Sequence, residues 1–366
     1  HDPQFRVAVD LPGLAPAENE LARTHTTRIL GAVSARLPCG HDRSGAESCS
    51  LEFITSGLRA SSVVTDPLMT LVGAPFVATT GERIEQEARI TANAGGAWTF
   101  GGSAIAALEH IGVSRPGTES PRADRFTMRP AVDVAWHADP STDVVGTASV
   151  ECHATASDGS ATSACPSPAP SGRLGVRRRL TRGVEVRTNV GHYVRVPTLG
   201  ELYGQSAVVR GNPALVPEAG ETVDLGVHTH FTAGRLGIDT DLFGFARRVE
   251  DLVSYRQNVL GVIVPFNVGR ARVLGAEIAA SVDWSRFLRP ELGKTPLDPR
   301  DTTAGRTLAN ALLPFRSRLV LSDFTELYSE SGLPALGVQR AALGLRVTER
   351  TSRYADQAGL IVIPEQ

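Results

Sequence analysis

Lysine is almost missing from this sequence. Of 37 basic residues Lys294 is the single lysine, and arginine supplies the rest. We read the preference for arginine as a compositional bias of the source genome. Against 39 acidic residues the net charge is -2, so the chain has no basic field to condense on phosphates, which argues against nucleic acid as a partner. Aromatic residues make up only 5%, a mild argument against a membrane barrel, whose interface girdles normally use Tyr, Trp and Phe. No run of about 18 or more apolar residues occurs, which excludes a helical membrane span and leaves a barrel open. No G-x-S-x-G, H-E-x-x-H or G-x-G-x-x-G pattern stands in a suitable setting. Gly293-Lys294-Thr295 ends like a phosphate-binding loop, but Leu288 occupies the place of its first glycine. The expectation is therefore no enzyme and no cofactor. The chain begins at His1 without a signal sequence, so any targeting segment is expected outside it.

What the sequence does have is length, apolar content and turns. With 366 residues, 42% of them hydrophobic, it can bury a sizeable core. Its 36 Gly and 23 Pro favour many reversals. Period-two alternation recurs over about ten residues at a time. From 184 to 196 the even positions Val184, Val186, Val190 and Val194 are apolar, while Glu185, Arg187, Asn189 and Arg195 are polar. Residues 83–93, 223–231, 236–242 and 341–348 alternate in the same way.

Alternation alone fits a soluble sandwich as well as a barrel, so the connections decide. Short turns are expected at 94–96, 138–142, 181–183, 232–235 and 285–287. Long, polar or Pro-rich connections are expected at 39–49, 111–124, 153–171, 197–221, 249–265 and 298–313. Outer-membrane barrels alternate tight periplasmic turns with longer external loops. A sandwich has no reason to. Cys39 and Cys49 bracket one long connection, and Cys152 and Cys165 another, so two local disulfides are favoured over free thiols or zinc. Both pairs are expected on the long-loop side, each worth roughly 3 kcal/mol in the chain-entropy model.

Specific motifs follow. Arg195-Val196-Pro197-Thr198-Leu199-Gly200-Glu201-Leu202-Tyr203, then Gly211-Asn212-Pro213-Ala214-Leu215-Val216-Pro217-Glu218, resembles the paired barrel signature of TonB-dependent outer-membrane receptors. Glu250-Asp251-Leu252-Val253 and the run Asn267-Val268-Gly269-Arg270-Ala271 continuing to Gly275 and Glu277 resemble that family's next hallmarks. Leu313-Pro314-Phe315-Arg316 resembles its Pro-x-Arg approach to a late strand. The resemblance covers roughly 172–350, and before that it rests on strand rhythm. These motif residues are expected to be structural. Pro197 and Pro213 would stop strands, Gly211 and Gly269 would permit turns or bulges, and Glu218, Glu277 and Arg270 would pair on the lumen side.

The resemblance implies an all-β, antiparallel, transmembrane up-and-down barrel over 1–366, truncated at both ends, with roughly fifteen strands of a larger barrel. It implies an outer-membrane receptor for energised uptake of a scarce nutrient such as a ferric siderophore, cobalamin or glycan. Its partners would be a TonB-type energy-transducing protein acting through a plug absent from this chain, a small nutrient ligand and outer-membrane lipid. A plugless diffusion pore and a secreted soluble β-sandwich binding module are the alternatives. His228 and His230, with Asp224, share one strand face and admit a metal reading, and Asp239 and Asp241 an acid–base reading. For all of these the lining of a wet lumen is the favoured role.

Overall fold

The computed structural model describes residues 8–9, 17–18, 22–41, 45, 47–69, 74–117, 121–157, 160–161, 165, 168–204, 209–257, 262–284, 287–305, 310–329 and 341–366. Two short strands, β1 (Ala8–Val9) and β2 (Ala17–Glu18), pair with each other. The main sheet begins with β3 (Arg23–His41), β4 (Glu47–Thr65), β5 (Phe76–Ala94), β6 (Trp98–Ser114), β7 (Arg122–Asp139) and β8 (Thr142–Ser157). The two-residue β9 (Ser160–Ala161) pairs with β8. The sheet continues through β10 (Ala169–Thr181) and β11 (Val184–Arg195), and a one-turn helix α1 (Leu199–Tyr203) leads to β12 (Glu218–Ala233). It then runs through β13 (Leu236–Gln257), β14 (Ile263–Trp284), β15 (Leu288–Asp301), β16 (Leu319–Ser329) and β17 (Ala341–Arg350). A small pair, β18 (Arg353–Tyr354) and β19 (Val362–Ile363), follows.

Apart from β9, each strand of the fifteen-stranded sheet lies beside its sequence neighbour, antiparallel throughout, from β3 at one edge to β17 at the other. The two edges do not pair with one another among the described residues. This is the up-and-down order expected of the alternating pattern, in a sheet that stays open.

The period-two pattern becomes two chemically opposite faces. On β6 and β7 the register sets Trp98 against Trp136, Phe100 against Val134 and Leu108 against Phe126. Further along, Val227, Leu242 and Ile278 fall in one row. These residues belong to one face, and its large apolar side chains, including Leu108, Phe126, Leu242 and Ile278, are exposed. The indoles of Trp98 and Trp136 stack with centroids 5.8 Å apart at one margin of this band. From Trp98 to Leu108 a strand climbs ~34 Å. Tilted at 35–45°, that spans roughly 25 Å of hydrocarbon. The opposite face carries charge: Arg83 pairs with Glu85 and Glu109, Arg89 with Glu87 and Glu52, and Arg177 with Asp143. A soluble sandwich would bury the apolar face against a second sheet, whereas here it is the outward one.

Parity of connections fixes the two ends. The turns at 95–97, 140–141, 182–183, 234–235 and 285–287 all lie at one end, and the connections 115–121, 158–168, 196–217 and 302–318 at the other. Two expectations change. The stretch 249–265 is mostly strand, since β13 and β14 extend to Gln257 and from Ile263. Both disulfides form, Cys39–Cys49 and Cys152–Cys165, but they sit at opposite ends of the sheet. The reason is the connection between β4 and β5 at 66–75, whose Asp66-Pro67 and Ala74-Pro75 steps end both strands. It adds one reversal and moves Cys39–Cys49 to the short-turn end.

Candidate functional site

At the long-loop end the connection between β11 and β12 folds over the inner face. Arg195, the last residue of β11, stands opposite Glu218, the first of β12. The described residues between them, 196–204 and 209–217, do not project outward. Thr198 caps α1 with a complete capping box, its hydroxyl accepting from the Glu201 amide at 3.2 Å and the Glu201 carboxylate accepting from the Thr198 amide at 2.8 Å. Five residues are too few for a helix to stand alone, so the turn depends on packing. Leu199 and Tyr203 close on Ile111 of β6 and Ala123 of β7. Because β8 and β10 lie between β7 and β11, the connection reaches inward across two strands.

Charges hold this position. Arg195 bonds Glu201 at 2.9 Å and Glu218 at 3.0 Å. Glu218 also accepts from the Val253 amide at 2.9 Å, and Tyr255 approaches Glu201 at 3.4 Å. Both glutamates are buried. Burial of Glu201 opposes its charge, yet the bonds from Arg195 and Thr198 prevail and hold its carboxyl below the ordinary carboxylate value. Pro197 ends the β11 ladder, and its carbonyl accepts from the buried Arg125 guanidinium at 2.8 Å.

The second motif block closes on the first and on the third. The Asn212 amide donates to the Glu201 carbonyl at 2.8 Å, and its side chain donates to Pro265 at 3.0 Å. A Cβ on Gly211 would collide with the backbone of Leu202 and Tyr203, so glycine is required there. Pro213 and Pro217 are exposed, the latter immediately before β12. Asn267 acts as a staple: it exchanges two hydrogen bonds with Val216, both 3.0 Å, and donates to the Asp251 carbonyl at 2.6 Å. Asp251 there has a φ of 52°. Gly269 lies against Thr303, whose hydroxyl accepts from the Arg270 amide at 2.9 Å. Ala271 is fully buried, in the cluster of Val249, Val268 and Leu313. A Cβ on Gly275 would lie 2.5 Å from the Phe245 ring. Glu277 stands on the inner face with Gly275.

The Arg270 side chain departs from expectation. It shares the outward face with Leu274 and pairs with Glu250 at 3.7 Å. Its even position in β14 dictates this, as a one-residue step changes the face. On the inner wall, nearer the short turns, His228 Nδ1 lies 2.9 Å from Asp241 and His230 Nδ1 2.7 Å from Asp239. Asp224 bonds Asn189 at 2.6 Å. Sequence reasoning missed Arg125 and Tyr255, which carry no local signal. The Thr198-x-x-Glu201 capping box was a readable signal for α1.

One continuous antiparallel sheet with an apolar outward face, a charged inner face and unequal ends defines a membrane-spanning β-barrel wall. The family model described as TonB dependent receptor-like, beta-barrel matches residues 121–364, well over half of the chain. The chain belongs to this family, whose members are outer-membrane transporters and not enzymes. No curated protein matches it by sequence. Among solved structures it is similar to the copper transporter OprC, with 13% identity and a TM-score of 0.67 over 92% of this chain and 54% of that one. It is also similar to the ferric yersiniabactin uptake receptor FyuA from Yersinia pestis, with 14% identity and a TM-score of 0.63 over 99% and 56%. The siderophore receptor PiuA from Acinetobacter baumannii follows, with 12% identity and a TM-score of 0.65 over 94% and 57%. The chain thus spans about half the length of the solved structures it matches.

Proposed function

We propose that this chain forms the barrel wall of a receptor for energised uptake of a scarce nutrient, carried as a small polar complex such as a ferric siderophore. Cobalamin and glycans belong to the same reading. The observation that carries it is the inward fold of residues 196–204 and 209–217, anchored by Arg195, Glu201 and Glu218. A fixed, partly closed mouth above a charged wall suits capture of a specific polar ligand. It hinders free diffusion, which disfavours the plugless pore. Release inward then needs work, which a TonB-type protein would supply through a plug domain.

The test is growth of a Gram-negative strain, deleted for the full-length protein, on single ferric chelates under iron limitation. Restoration by the full-length gene, lost when the energy-coupling protein is deleted, is the expected result. Uptake that persists without energy coupling would establish a pore instead.

A further inference from the structure

We infer that His228 and Asp239, on the inner wall toward the short turns, bind a divalent transition-metal ion between them. This goes beyond nutrient uptake and rests only on the inner face of β12 and β13. His228 and His230 are two apart on β12 and therefore leave it on the same face. The register sets them opposite Asp241 and Asp239 of β13. Asp224 shares that face but stays outside the group, because it bonds Asn189.

Each imidazole is held by its Nδ1, His228 at 2.9 Å from Asp241 and His230 at 2.7 Å from Asp239. An ionised carboxylate only accepts hydrogen bonds, so the His228 ring carries a proton on Nδ1, and in the neutral ring Nε2 presents a lone pair. Asp239 Oδ1 lies 3.9 Å from that nitrogen, too far for a hydrogen bond. Two ligands at ~2.0–2.2 Å from one ion stand about 3.4 Å apart at a tetrahedral angle and about 4.2 Å apart when opposed. The gap falls inside that interval. Asp241 then holds the place of the carboxylate that orients a ligating histidine, and His230 that of the donor that fixes a ligating carboxylate. Glu185, on the other side of His228, is engaged by Arg187. No third protein donor joins the pair among the described residues, so water completes the shell and the ion is exchangeable. One nitrogen and one oxygen donor favour Cu²⁺ or Zn²⁺ over Mg²⁺ or Ca²⁺. His137 and Asp143 form a third such pair on the same wall, at 2.6 Å, but Arg177 takes the second oxygen of that carboxylate at 2.9 Å. It therefore serves as the control.

The experiment is Cu²⁺ titration of the untagged full-length protein, refolded in detergent and read by electron paramagnetic resonance, with Zn²⁺ followed by equilibrium dialysis. Heat-modifiable gel mobility verifies folding of every variant. We expect a bound Cu²⁺ with an imidazole-nitrogen coupling that His228→Gln removes, an affinity reduced roughly tenfold by Asp239→Asn and by Asp241→Asn, and no change in His137→Gln. No Cu²⁺ retained at micromolar concentration, binding unchanged in the folded double variant of His228→Gln and Asp239→Asn, or an equal loss in His137→Gln would each overturn the proposal. None of these outcomes bears on whether the receptor takes up a nutrient.

Discussion

Arg195 and Glu218 face each other as the last rung of the β11–β12 ladder, with Nε and Oε1 3.0 Å apart, although 22 residues of chain run between them. The pair closes the base of the loop that folds into the mouth. Glu201, from the middle of that loop, returns to the same guanidinium. One arginine thus binds two buried carboxylates.

Removing that arginine leaves both carboxylates without their cation. Arg195→Ala is expected to destabilise the mouth by about 2–3 kcal/mol, below the range for a fully buried pair because the arginine itself is partly exposed. Limited proteolysis within 196–217 should become faster, while the strand signal in circular dichroism is unchanged. An uncut loop in the variant would disprove the anchoring role.

Acid should have the same effect on the wild type. The Glu201 carboxyl is held below its ordinary value of 4.5, so the folded mouth favours the ionised form. Its contribution is fully present above that ordinary value and is lost as pH falls through the lower folded one. Proteolysis of the loop, measured with an acid-active protease from pH 6 to pH 3, should accelerate below about pH 4.5. Glu201→Gln should flatten the profile, and an unchanged profile in that variant would assign the effect elsewhere.

The outward face can be distinguished from the inner one by charge. Leu242 is exposed at the middle of the apolar band, and Leu242→Arg is expected to cost about 2–4 kcal/mol when folding is measured into lipid vesicles. Ser281 lies on the inner face, opposite Asp239, and Ser281→Arg should be close to neutral. Similar costs for the two would contradict the assignment of faces.

Opposite placement of the disulfides predicts unequal labelling. After mild reduction of intact cells, a membrane-impermeant maleimide should modify Cys152 and Cys165, which belong to the long-loop end, and spare Cys39 and Cys49. Modification of all four before lysis would refute the topology.

Much of the fold was legible because a strand in a barrel wall records its two environments in alternate residues. The run from Val184 to Val194 showed both faces without help from any other segment. The motif blocks at 195–203, 211–218 and 267–277 were visible as separate signatures, but nothing local joined them. Asn267 meets Val216 across 51 residues and Arg125 meets Pro197 across 72. The turn at 66–75 was not legible because Leu68, Met69, Leu71 and Val72 make it apolar rather than polar, although Pro67 and Pro75 bracket it. That single omission reversed the side assigned to Cys39–Cys49. Charge alone does not give the face of Arg270, which its even position in β14 turns outward.

By itself the sequence determined the alternating strand pattern, the disulfide partners and the family, since each is encoded in residues close together in the chain or in fixed local spacing. The tertiary structure alone decided which end each disulfide occupies, how Arg195 gathers Glu201 and Glu218, and which aspartates His228 and His230 meet. Those properties depend on strand register and on the count of reversals, and both are set by packing between segments far apart in sequence.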